Sequence, residues 1–291
     1  MPGSCRHCRA MKPDPNAIPD MRAVVGSHDI VFITLDTLRY DVAQQLFLDG
    51  ELPVLGPHLP PGGWERRHSP ASFTYAAHHA FFAGFLPTPA APGRHARLFA
   101  TAFRGSETTS AHTCVFQEES IVAGLSARGY RTICVGGVGF FNKLTALGRV
   151  LPAMFDESHW SPAMGVGQRR SAERQVALAL QRLQEIRRAG GQRVFLFINV
   201  AAIHAPNRVH LPGSAADTVE SHAAALRHVD AALAPLLAGC AAPGPAFVIL
   251  CSDHGSAYGE DGYQGHRVAH ETVWTVPYAH FFIEQQGASP P

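Results

Sequence analysis

With 291 residues, 46% of them hydrophobic, the chain has enough apolar surface for a substantial core in one large domain or two small ones. A net charge of +1 and only 16% charged residues exclude the strong field that would argue for nucleic acid or an acidic lipid surface as partner. The longest strongly apolar run, 194–203, is too short for a membrane span, and no secretory signal opens the chain, so a cytoplasmic protein is expected.

Residues 1–20 are proline-rich and aperiodic, the pattern of a disordered tail ahead of a single domain over 22–291. Cys5-Arg-His-Cys8 has the spacing of half a zinc site, but no second half follows nearby. Strands are expected at 30–35, 132–135, 194–200, 246–251 and 278–283, short runs rich in β-branched or aromatic residues with little alternation. Helices are expected at 74–85, 120–128, 171–188 and 215–237, with Pro235 bending or shortening the last. Segments 51–72, 87–113 and 140–168, rich in Pro and Gly, read as long loops that wall a site. Cys134 and Cys251 fall in or beside apolar runs, where a thiol packs as a small hydrophobe. Alternating strands and helices predict an α/β fold with a mostly parallel central sheet flanked by helices.

Chemistry gathers where those strands run out. The run 31–35 leads into Asp36, and the run 246–250 leads into Cys251-Ser252-Asp253-His254-Gly255. Two apolar strands that each deliver a carboxylate at the C-terminal end point to one metal site on one rim of a parallel sheet. Asp36 alone would equally cap the next helix, and Thr74, where a helix should begin, would equally accept a bond from a first-turn amide. The sharper role for Thr74 is as a nucleophile, because a helix N-terminus favours phosphate. His78, one turn on, leans back toward whatever Thr74 holds, whereas His79 points aside and reads as structural. His204 follows another buried strand; His266 and His270 follow His254, and share a face only if their segment is helical. Mixed nitrogen and oxygen ligands favour Zn2+ or Mn2+ over the oxygen-seeking Mg2+ or Ca2+.

In Leu35-Asp36-Thr37-Leu38-Arg39-Tyr40-Asp41, the segment from Thr74 to Pro87, Gly129-Tyr130-Arg131-Thr132, His204-Ala205-Pro206, and Ser252-Asp253-His254-Gly255 with Gly265-His266, the chain resembles the sulfatase-like branch of the alkaline phosphatase superfamily. Within it the resemblance is nearest to the small STM4013/SEN3800-type hydrolases. It implies an alkaline-phosphatase/sulfatase-like sheet without a large C-terminal subdomain. It places Thr74 at the nucleophile position and His78 where the family has Arg, stabilising non-bridging oxygens. Asp36, Thr74, Asp253 and His254 would surround one metal; His204 and His266 would hold a second ion or the phosphoryl oxygens, and either would protonate the leaving group. The family's lysine after the Gly-Tyr-x-Thr strand is replaced by Gly136-Gly137, with Lys143 the nearest substitute. Threonine cannot become formylglycine, which turns the expectation from sulfate esters to phosphorylated small molecules. The implied activity is hydrolysis of a phosphate ester or phosphonate through phospho-threonine. Its rivals are a phosphoethanolamine- or phosphoglycerol-like phosphoryl transferase, a sulfate-ester hydrolase, and a non-catalytic metal- or phosphate-binding module.

Overall fold

Runs without alternation become strands covered on both faces, and all seven residues of β1 (Asp29–Leu35) and of β5 (Val194–Val200) are buried. The computed structural model describes residues 19–84, 97–99, 113–115, 120–240 and 244–284. Among these, the central sheet also holds β2 (Glu65–His68), β3 (Arg131–Val135), β4 (Glu157–His159), β6 (Ala246–Cys251) and β7 (Thr275–Ile283). The strand order is β2-β7-β6-β1-β5-β3-β4. From β6 to β4 every pairing is parallel, while β7 runs antiparallel to both β6 and β2.

Among the described residues, five helices of seven residues or more flank it: α1 (Tyr40–Leu48), α2 (Thr74–Ala83), α3 (Ile121–Ala127), α4 (Ser171–Arg188) and α5 (Val219–Cys240). Val31, Ile33 and Leu35 of β1 pack with α1, α4 and α5 on one face; Ile30 and Phe32 pack with Phe82 of α2 and Val122 of α3 on the other. The second face is aromatic. Phe32, Phe82, Phe141 and Phe155 approach Phe197 with ring centroids 5.6, 5.1, 5.5 and 5.8 Å away.

Four expectations change. Pro235 does not shorten α5, which continues to Cys240 because Leu233, Leu236 and Leu237 around it are all buried, and that packing outweighs one missing amide. Segment 51–72 contains β2, and segment 140–168 contains β4 with several short helical turns. His270 caps the short helix Glu271–Trp274 instead of sharing a helix with His266. No helix among the described residues is long and apolar enough to cross a membrane. The tail, the Cys5/Cys8 pair and most of 87–113 lie outside the described residues. Cys134 and Cys251 are buried free thiols.

Candidate metal centre and active site

β1 and β6 are neighbours in register, with Thr34 opposite Cys251, so Asp36 and Asp253 leave the sheet side by side on the rim formed by the parallel strands' C-terminal ends. Asp36 does not cap α1; the cap position is Arg39, and no side chain fills it. Instead the chain turns at Thr37, held at φ 65, a left-handed conformation rare for a β-branched residue. The Thr37 N–H donates to Asp253 Oδ1 (3.2 Å), and so does the His254 N–H (3.0 Å). Gly255 behind them leaves no room for a side chain, since a Cβ there would lie 1.9 Å from the Thr272 carbonyl oxygen.

One atom of each of Asp36, Asp253 and His254 falls within 4.8 Å of the others, and all three residues are fully buried. Asp36 Oδ1 and Asp253 Oδ2 have no hydrogen-bond partner. Two buried carboxylates, each with an oxygen unmatched, make a costly arrangement unless a cation completes it. Burial first, then the Asp253 charge, pushes Asp36 up to about 6; burial pushes Asp253 up to about 6 as well. His254 Nδ1 donates to the Gly255 carbonyl (2.9 Å), which fixes the tautomer and leaves Nε2 as a lone pair facing the carboxylates. This donor set fits a divalent ion.

Thr74 is the first residue of α2, and Phe73 before it takes the cap position. Its hydroxyl therefore caps nothing. Thr74 Oγ1 lies 3.4 Å from Asp36 Oδ2 and 3.3 Å from His254 Nε2, inside the carboxylate–imidazole cluster.

His78 reaches back as expected but not outward. Its Nδ1 donates to the Thr74 carbonyl (2.7 Å) and its Nε2 accepts from the Thr34 hydroxyl (3.0 Å). Rings of Phe81, Phe141 and Phe197 stand 5.3–5.5 Å away, and burial among them drives the imidazole down to about 3. A neutral, enclosed ring with both nitrogens committed keys α2 to β1 and has no free donor for a ligand's oxygens. His79 packs on Tyr75 at 4.5 Å, a structural place. His204 and His266 are half-buried beside the trio: His266 is 4.7 Å from the His254 ring and 5.5 Å from His204. Burial, with His254 and His204 alongside, lowers His266 to about 3. Lys143 is elsewhere, donating to the Ser158 carbonyl and hydroxyl.

Two supporting residues carried a sequence signal that pattern reading passed over. Asn199, a lone amide in the apolar strand Val194–Val200, donates to Asp36 Oδ2 (2.9 Å) and accepts from the Val138 N–H (3.0 Å). A polar residue in such a strand needs partners, and that need marks it. Arg39 forks onto Asp41 at 2.9 and 2.6 Å and pairs through its other arm with Glu260, tying the loop after His254 to the start of α1.

No family model and no curated protein matches the chain. Solved structures do. The soluble domain of lipooligosaccharide phosphoethanolamine transferase A from Neisseria meningitidis is 15% identical with a TM-score of 0.58, covering 88% of this chain and 77% of that one. The C-terminal periplasmic domain of EcEptC from Escherichia coli, in complex with Zn, is 13% identical with a TM-score of 0.57, covering 90% and 74%. A protein in the alkaline phosphatase superfamily from Vibrio parahaemolyticus is 15% identical with a TM-score of 0.53, covering 90% and 61%. This likeness, together with the sheet order, establishes that the chain has the alkaline-phosphatase-like α/β fold.

Proposed function

We propose that the protein is a metal-dependent phosphoryl-group transferase in which Thr74 carries the group between donor and acceptor. One observation carries this reading: a threonine hydroxyl at a helix start, 3.3–3.4 Å from two members of a buried cluster whose carboxylate oxygens are unmatched. A divalent ion held by Asp36, Asp253 and His254, Zn2+ in keeping with the mixed donors and the EcEptC complex, supplies a Lewis acid that acidifies the hydroxyl and offsets phosphate charge. Thr74 Oγ attacks phosphorus as its proton passes to Asp36 Oδ2, and the bond to the donor's ester oxygen breaks so that the donor departs as an alcohol. The first turn of α2 presents amides to the phosphate oxygens. His204 and His266 stand beside the trio, and either would give the departing oxygen its proton. An acceptor hydroxyl then attacks phosphorus and the Thr74 Oγ–P bond breaks; the acceptor's proton passes to the histidine that protonated the first alcohol, and Thr74 recovers its own from Asp36.

The phosphoethanolamine transferase among similar folds favours transfer over the hydrolysis expected from sequence; hydrolysis becomes the case in which water is the acceptor. Kinship with the small STM4013/SEN3800-type hydrolases belongs to the same proposal. The test is release of p-nitrophenol from phosphate mono- and diesters by zinc-loaded protein, with and without an alcohol acceptor, and intact-mass detection of phosphorylated Thr74. Thr74→Ala should abolish turnover and the mass shift while keeping zinc. Unchanged turnover refutes the nucleophile, and zinc binding without turnover on any ester makes the protein a binding module.

A further inference from the structure

The rim that carries Asp36 and Asp253 has a second opening beyond β4. A cleft of about 510 Å3 has Lys143, Ser158, Trp160, Ser161 and Arg174 in its lining beside the apolar Met164 and Leu178, and no carboxylate lines it. Lys143 is held at φ 59, an uncommon conformation for a residue with a side chain, and its ammonium donates only to the uncharged Ser158 oxygens at 2.6 and 3.2 Å. Arg174 Nη1 donates to the Ala163 carbonyl at 2.9 Å. Neither cation makes an ion pair among the described residues. The acid nearest in sequence, Glu157, is taken by Arg131, His159 and Arg182. Trp160 spends its indole N–H on the Gly137 carbonyl (2.9 Å), which fixes the ring as a wall. Two uncompensated cations, two serines and a fixed aromatic ring have the chemistry of an anion site.

Its placement ties it to the reaction. β4 lies three strand spacings from β1, which at about 4.8 Å each sets the cleft roughly 14 Å from Asp36 along the rim. Gly137, which receives the Trp160 bond, packs so closely on Asn199 that a Cβ there would meet the Asn199 carbonyl at 2.4 Å. Asn199 in turn holds Asp36.

We propose that this cleft is a second anion subsite, holding a phosphate, sulfate or carboxylate group of the donor or acceptor while phosphorus sits at Thr74. Binding of the anion is independent of the transferase reading; its link to Thr74 rests on that reading. Two measurements separate them. In the first, the full zinc-loaded chain and its Lys143→Ala/Arg174→Ala variant are titrated calorimetrically with sodium sulfate. A sulfate site present in the wild type and absent from the variant supports the subsite, with zinc content and circular dichroism showing an intact fold. A wild type that binds no sulfate, or a variant that binds it equally, overturns it. In the second, KM is compared for decyl p-nitrophenyl phosphate and the same ester ending in a phosphonate. Two exposed charge contacts predict about a tenfold lower KM for the phosphonate, lost in the double variant and regained with Lys143→Arg on an otherwise native chain. Equal KM values beside a wild-type sulfate site assign the cleft to a free anion. If neither ester turns over, the transferase reading fails and the sulfate titration alone decides the subsite.

Discussion

Replacing Asp253 with Asn should stabilise the metal-free protein and destabilise the metal-loaded one. Burial lifts the Asp253 carboxyl from 3.8 to about 6, some two units, which amounts to about 3 kcal/mol at 1.36 kcal/mol per unit. The sign follows from linkage: a carboxyl whose folded pKa is raised costs nothing below 3.8, and its full penalty is present once the pH passes 6. At pH 5 about half of that penalty remains. Asparagine keeps an Oδ1 for the Thr37 and His254 amides, so both hydrogen bonds survive while the charge goes. It also relieves Asp36, whose carboxyl the Asp253 charge helps to raise. Differential scanning calorimetry after chelation should show Asp253→Asn melting roughly 6 °C above wild type at pH 8, with a smaller gap at pH 5. With zinc at a thousand times its Kd, wild type gains about 4 kcal/mol and the order reverses. If the metal-free variant melts below wild type by the same margin at both pH values, the carboxylate is serving the fold and not a cation, and the metal centre is refuted.

Asn199→Ala strands the buried Val138 amide and leaves Asp36 Oδ2 with only the longer Thr74 contact; it should cost about 1–3 kcal/mol by urea unfolding and weaken zinc binding in calorimetry. Zinc affinity should climb with pH up to about 6, where Asp36 and Asp253 lose their protons, and flatten above it; an affinity unchanged between pH 5 and 7 would contradict the assigned ligands. Gly255→Ala forces the Asp253-His254 turn away from the Thr272 carbonyl, with an expected loss of about 3 kcal/mol or more and of zinc occupancy, measured by unfolding and metal analysis.

The strands and the two carboxylates were legible because each signal was local and strong. Runs 194–200 and 246–251 match β5 and β6 at both ends, since burial on both faces leaves little room for polar residues. Asp36 and Asp253 stood out because acids at the exits of such strands are poor packing material. What escaped was decided by tertiary contact. The His78 spacing pointed it toward Thr74, yet only the aromatic cage and the Thr34 hydroxyl show the ring to be sealed inside. Pro235 was expected to bend or shorten its helix because a helix read alone must satisfy its own backbone; packed against the core, α5 tolerates the gap and runs on to Cys240. Lys143 stood only as the nearest substitute for the lysine that the family resemblance implies after the Gly-Tyr-x-Thr strand, and the fold gives it to a different opening of the same rim.

The pairing of β1 with β6 also bears on how the molecule folds. A chain threaded one residue out of step there would shift one carboxylate by about 3.3 Å and turn it to the opposite side of the sheet. An ion that needs both acids would then have nowhere to bind. Cation uptake during refolding should therefore act as a proofreader, trapping the correctly threaded sheet and leaving slipped versions free to come apart and try again.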